Sequence, residues 1–437
     1  MGDTPAHRFC ADYRIWMPAV LIVLLPLVFS FSPIPIVGKY TGSKLQLLEI
    51  AFVLLFPLFL VFAVRKKDLS LGFPPASIPF ALFFLVAFVA AILSVNPKRS
   101  LLDVAAFLYL YLLYFFFYNL LEERTLRFAL RLSVSTATVI ALIGLGGYIA
   151  YRCFGMMNFA VEVYHQYLGI ELVRARATMH TSNYLLVYLG FSLVAALSLI
   201  KIDDNWWFRR LSALLILLTI ATISSGIYRG SFVIWGLLFF GLGEFKEIPW
   251  TRVLRWVVLP LFLVFAALYV CQGYVNIAPV EVSHDMKSEV LNVSISTRPT
   301  VYANLHRAAV LIAGDHPIVG MGPGLYNEYM NRPEYGFDFD SYPWPSLDPH
   351  STYLGYLAET GIAGFLCLVL FLASICIHVW KRRKGAGDES VVARFFWIYL
   401  VLMLVYAVFL DIVTLRFLYF GYALVFSGLP REEETAD

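Results

Sequence analysis

The residues that could do chemistry are concentrated in one stretch of an otherwise apolar chain, from His316 to Gly364. It opens HPIVGMGPGLY (316–326), runs through an aromatic, Pro-rich connector, and closes DPHSTYLGYLAETGIAG (348–364). His350 follows Pro349, and Ser351 and Thr352 are suited to cap a helix that begins there. Imidazole is the side chain best matched to taking a proton from a hydroxyl near neutral pH, so His350 is the candidate general base. Glu359 lies about two and a half turns further on, roughly on the opposite face of a straight helix, and is no obvious orienting partner. Most single histidines are held structurally by hydrogen bonds, and His165, His180, His284, His306 and His316 are read that way.

Arginine is the second chemical resource. Arg174, Arg176, Arg229, Arg298 and Arg307 lie between apolar runs, and a guanidinium makes forked contacts with phosphate or carboxylate. Any one of them could simply snorkel to a membrane interface. As a set on one side of a membrane they suit an anionic ligand. The GMGPG run (320–324) looks like a phosphate cradle, but it follows no predicted strand, so the nucleotide-loop reading fails on context. It reads instead as a sharp turn, with glycines supplying positive φ beside a helix that ends near Asp315.

The elements that must position these residues are membrane helices. The 437 residues are 60% hydrophobic and only 14% charged, against about a quarter charged in an ordinary soluble domain. Apolar runs fall at roughly 16–32, 46–64, 77–95, 102–120, 130–150, 183–200, 211–225, 231–244, 253–273, 353–379, 395–413 and 415–429. The chain is therefore expected to be an all-α polytopic membrane protein with about twelve transmembrane helices. A net charge of +3 gives no reason to expect nucleic acid. The five cysteines have no CxxC spacing, which argues against a zinc site or a disulfide framework.

Basic residues orient the bundle. With the N-terminus cytoplasmic, most of the 33 lysines and arginines fall on the cytoplasmic side, including Arg65-Lys66-Lys67, Arg209-Arg210 and Lys381 to Lys384. That bias predicts both termini inside and the His350 stretch outside. It also divides the chain into nine helices (1–273), a large outer loop (274–352), and three helices with a cytoplasmic tail (353–437). Within the loop, TVYANLHRAAVLIAGDHP (300–317) has apolar residues at helical spacing and a Gly-Asp stop, and the loop is expected to be helical.

Three motifs resemble those of the O-antigen ligase and polymerase family of bacterial envelope glycosyltransferases. HPIVGMGPG (316–324) is similar to the family's hPllGvGpG. PHSTYLGYLAETGIAG (349–364) is similar to HNxyLqxlaelGlxG, with Ser351 for the usual Asn. RARATMHTSN (174–183) is similar to RxxGTFxNPN, with Ala177 for Gly and Ser182 for Pro. The turn at Arg229 looks like the family's SRga hairpin.

The resemblance implies a GT-C-like fold with a large helical periplasmic loop between spans 9 and 10. It implies transfer of a glycan from a polyprenyl diphosphate carrier to a hydroxyl of a glycan, lipid or protein acceptor, within the lipid bilayer, with no nucleotide, cofactor or obligatory metal. On this reading Arg174, Arg229 and either Arg298 or Arg307 hold the diphosphate and His350 activates the acceptor. The expected location is the cytoplasmic (inner) membrane, with the site on its outer face. A transporter or flippase for lipid-linked sugars is the alternative, and would show inverted repeats and broken helices at mid-membrane. A non-catalytic assembly partner is the third reading.

Overall fold

Each expected apolar run holds one helix in the computed structural model. The structure describes residues 13–28, 30–31, 45–66, 71–167, 170–226, 228, 230–245, 247–284, 291–299, 301–330, 332–335 and 348–427. In chain order the helices are α1 (Tyr13–Leu24), α2 (Leu47–Lys66), α3 (Ser77–Leu93), α4 (Pro97–Leu120), α5 (Glu123–Phe154), α6 (Ser182–Ile202), α7 (Trp206–Ser224), α8 (Ser231–Gly241), α9 (Pro249–Tyr274), α10 (Val301–Asp315), α11 (Tyr326–Met330), α12 (Thr352–Arg382), α13 (Asp388–Tyr406) and α14 (Arg416–Phe426). Eight of them (α2, α4, α5, α6, α7, α9, α12 and α13) are long and apolar enough to cross a membrane, and α1, α3, α8 and α14 are shorter apolar helices. The protein is an all-α polytopic membrane protein. In hydrocarbon every backbone polar group must be satisfied within the chain, and a helix does that by itself.

Burial ranks the helices. In α6, 83% of the apolar window is buried inside the protein, against 11% in α9, so α6 is the hub and α9 faces outward. Around the hub, α6 packs on α5, α7 and α13, while α12 packs on α3 and α4 on α14. Outward-facing residues such as Val53, Val64, Ile78 and Val253 are apolar and exposed, as lipid contact requires.

One end of the bundle is tied by ion pairs. Arg131 grips Asp203 through two bonds of 2.7 and 2.6 Å, Arg127 meets Asp388 at 2.5 Å, and Arg382 meets Glu389 at 3.0 Å. The Arg131 bonds hold the Asp203 carboxyl below the usual carboxylate range, against the opposing effect of burial. The opposite end carries the candidate site.

Two expectations change in the loops. The large loop is not wholly helical: it begins as an antiparallel hairpin, Val275–His284 against Leu291–Pro299, before α10. Apolar and polar residues alternate in LNVSIS (291–296), the period of a strand. The register slips between Pro279 and Glu281, where proline has no N–H to give. A second hairpin, Val161–Tyr167 with Ile170–Ala175, follows α5. The run expected to be helical to residue 413 instead leaves the helix after Tyr406, and residues 407–415 form a turn before α14.

Candidate active site

The Gly-rich turn and the start of α12 are one structure. Gly361 has φ 63° and ψ −172° inside α12, so the helix is broken there. In a continuous helix the carbonyls of Ala358 and Glu359 would accept from the N–H groups of Ile362 and Ala363. They accept instead from Met321 (3.1 Å) and Gly322 (2.9 Å) of the Gly-rich turn. The N–H groups of Ile362 and Ala363 donate to the carbonyls of Pro317 (2.9 Å) and Ile318 (3.2 Å). Four backbone bonds are exchanged between the segments, so none of these four groups is orphaned by the break. The close approach demands glycine on both sides. A Cβ on Gly361 would stand 2.3 Å from the Ile318 oxygen, and one on Gly320 would stand 2.4 Å from the Glu359 carbonyl. Gly320, Gly322 and Gly324 all have positive φ, as the turn reading required.

This docking carries Glu359 into the site. Its carboxylate accepts from the backbone N–H groups of Gly324 and Tyr326. Its side chain lines a cavity of about 250 Å³ together with Arg99, Asp103, Asp348, His350 and Asp411. The straight-helix argument that set Glu359 apart from His350 is thereby corrected: His350 precedes the helix, and both residues face one cavity. Arg99 pairs with Asp103 one turn along α4, at 3.1 Å. Asp411 arrives from the turn after α13, where it accepts from the N–H of Val413 at 3.0 Å. Thr352 pins that turn. Its N–H donates to the carbonyls of Ala407 (2.9 Å) and Leu410 (3.2 Å), and its hydroxyl donates to Leu410 (2.8 Å) and accepts from the Ile412 N–H (2.9 Å).

His350 is held on several sides. Its Nδ1 lies 2.6 Å from Asp348 Oδ1, and its backbone N–H donates to the same oxygen at 2.9 Å. Its φ is +45°, in the left-handed region that side chains other than glycine seldom adopt. The His306 ring hydrogen-bonds to the His350 backbone, and the Tyr302 ring stands 5.3 Å from the imidazole. His306, read from the sequence as a structural histidine, thus supports the site. Burial lowers its pKa, helped by repulsion from His350 and opposed by its hydrogen bond. The Asp348 side chain is exposed; neighbouring atoms work against its ionisation, but attraction to a protonated His350 and two hydrogen bonds outweigh them and keep the carboxyl below its ordinary range. Ser351 caps α12 by accepting from the Leu354 N–H, as expected.

Of the predicted arginines, Arg174 and Arg307 have described side chains, and neither stands at this cavity. Arg174 lies on the second hairpin with its guanidinium 5.7 Å from the centre of the Tyr228 ring, and its side chain packs where Gly226 has no Cβ. The Tyr228 hydroxyl in turn accepts from the Ala175 N–H at 2.8 Å. The hairpin is therefore joined to the turn that carries Arg229, and Arg229 itself lies outside the described residues. Arg307 is exposed on α10, and Arg298 is placed by its backbone on the strand Leu291–Pro299. Neither Arg174 nor Arg307 lines the cavity, whereas Arg99 does. Arg99, Asp103, Asp348 and Asp411 were missed from sequence. Asp103 and Asp411 had a readable signal, because a carboxylate within an apolar run is costly and tends to be functional.

The double exchange of backbone bonds joins two motifs that are separate in sequence into one structure. Residues 210–369 match the O-antigen ligase family model (Wzy_C). The resemblance read from the motifs is thereby borne out. The matched segment contains Arg229, the Gly-rich turn and the His350 motif. Arg174 and Asp411 fall outside it. No curated protein matches the chain.

Proposed function

We propose that this multi-pass membrane protein is a GT-C-like, metal-independent glycosyltransferase of the O-antigen ligase type, in which the four shorter apolar helices complete a set of twelve spans. Both termini lie in the cytoplasm, the loop 274–352 is a separate outer unit, and the site opens on the outer face of the cytoplasmic membrane. A polyprenyl diphosphate-linked glycan is the donor. Arg174 and Arg229, with Arg298 or Arg307 from the large loop, hold its diphosphate as charge develops there. The acceptor oxygen attacks the anomeric carbon, the bond from that carbon to the diphosphate oxygen breaks, and the acceptor proton passes to His350. Polyprenyl diphosphate leaves as the anion, and the glycan stays on the acceptor.

The observation that carries this reading is the placement of His350. It lies at a polar cavity, at the end of the bundle opposite the arginine-rich ion pairs, in a segment that matches the ligase family. The cavity also separates two tasks. Its wall carries four carboxylates and one arginine, which suits the hydroxyl-bearing acceptor better than a diphosphate. The carbon attacked there bears the diphosphate, so the donor's reacting end lies beside this cavity with its diphosphate directed toward the arginines.

The deciding experiment supplies the purified full-length chain in detergent with an undecaprenyl diphosphate glycan and a panel of glycan, lipid and peptide acceptors. Mass spectrometry should find glycan on one acceptor class, with undecaprenyl diphosphate released in equal amount. Movement of intact donor across vesicles without any transfer would replace the enzyme by a flippase.

A further inference from the structure

We infer that Asp348 is the positioning residue of His350: it binds the Nδ1 proton of the ring and so leaves the lone pair of the imidazole on Nε2. The inference rests on the proposed role of His350 and names the group that makes that role possible. A neutral imidazole carries one N–H, and whichever nitrogen holds it cannot act as the base. A carboxylate oxygen only accepts, so at 2.6 Å from Nδ1 it selects the tautomer with hydrogen on Nδ1.

The local chain is built to keep this pair together. The same Asp348 oxygen accepts the His350 backbone N–H at 2.9 Å, which anchors the carboxylate independently of the ring. Pro349 between them has a fixed φ and no N–H to compete for the carboxylate. Among the described non-glycine residues only Ala76 and Ala177 share a positive φ with His350. Strain of this kind persists where the surroundings over-determine it, and it clusters at functional sites. Here His306 fixes the His350 backbone from α10, and Thr352 fixes the chain two residues further on.

The other carboxylates at the cavity have different engagements. Asp103 is paired with Arg99, Glu359 with the N–H groups of Gly324 and Tyr326, and Asp411 with the N–H of Val413. Once His350 has taken a proton, Asp348 faces the new charge, and its lowered pKa keeps it ionised for that purpose.

The test uses the full-length protein in nanodiscs with ¹⁵N-labelled histidine, the His350 signals being assigned by their loss in His350→Gln. Above neutral pH the wild type should show a protonated-type Nδ1 and a bare-type Nε2. Asp348→Ala should move the population toward hydrogen on Nε2. Asp348→Asn, closer in shape, serves if the alanine variant does not fold, and should show the same movement. In the transfer assay either variant should lower kcat roughly ten- to hundredfold while the acceptor KM stays within about twofold. A wild type with hydrogen mainly on Nε2, or a tautomer unchanged in the variants, would overturn the positioning role even if transfer is observed. The expected spectra with no transfer by wild type on any acceptor would leave the pair standing and remove the glycosyltransferase reading.

Discussion

At the scale of the residue, His350 combines a chemical part with an unfavourable backbone. His350→Ala should reduce transfer by roughly 10² to 10⁴, the usual contribution of a general base, and leave donor binding in place because the proposed diphosphate contacts belong to the arginines. Rate and folded fraction measured on one preparation check this, and near-normal turnover per folded molecule would remove His350 from the mechanism. The positive φ adds a second expectation. Glycine adopts +45° freely and alanine does not, so His350→Gly should be more stable than His350→Ala by about 1 kcal/mol, with both equally impaired. Thermal unfolding in one detergent compares the two variants directly.

At the scale of the element, the site depends on a broken helix whose backbone partners come from another segment. Gly361→Ala would place a Cβ 2.3 Å from the Ile318 oxygen in a backbone conformation alanine avoids. It should destabilise the protein by about 1–3 kcal/mol or more and raise amide hydrogen exchange at Met321 and Gly322, whose N–H groups bridge to α12. Gly146 is the control. It lies within α5 with nothing inside 4 Å of a built Cβ, so Gly146→Ala should be neutral or stabilising by up to about 1 kcal/mol. If both substitutions behaved alike, the docking of the Gly-rich turn would not be what holds this end of the bundle together.

At the scale of the whole molecule, orientation and acid sensitivity can be tested separately. With native cysteines replaced, a cysteine at the exposed Glu334 should react with an impermeant thiol reagent in intact spheroplasts. Labelling only after lysis would place the large loop inside and overturn the proposed location of the site. The Asp203–Arg131 pair belongs to the opposite end. Asp203 is buried and its carboxyl is lowered on folding, so its contribution is fully present above about pH 4 and is lost as pH falls through the folded value. Arg131 is a third exposed, which moderates the effect. Asp203→Asn should cost on the order of 2 kcal/mol at neutral pH, and the gap in Tm from wild type should close as pH falls below about 4. A gap independent of pH would mean that packing, rather than charge, accounts for the loss.

The sequence by itself determined the class and the order of the parts. Hydrophobic runs and polar breaks are local properties, so twelve apolar helices, the end of α10 at Asp315, the Ser351 cap and the positive-φ glycines were all readable without a fold. The ligase resemblance was readable too, since its motifs are short and contiguous. Only tertiary structure decided which groups meet at the cavity. Asp103 reaches the cavity from α4, Asp411 from the turn after α13, and Glu359 from the first turns of α12, where the Gly-rich turn docks. Helical periodicity compares positions within one helix, whereas His350 lies before α12 with a left-handed backbone, so periodicity set Glu359 apart from it. The arginines show the same limit. Their shared loop side was a matter of charge counting, but which of them stands at a cavity depends on how hairpins pack on helix ends, and that brought Arg99, outside the set chosen from sequence, to the wall. Contacts of this kind form between segments far apart in the chain, and no local pattern of residue types records them.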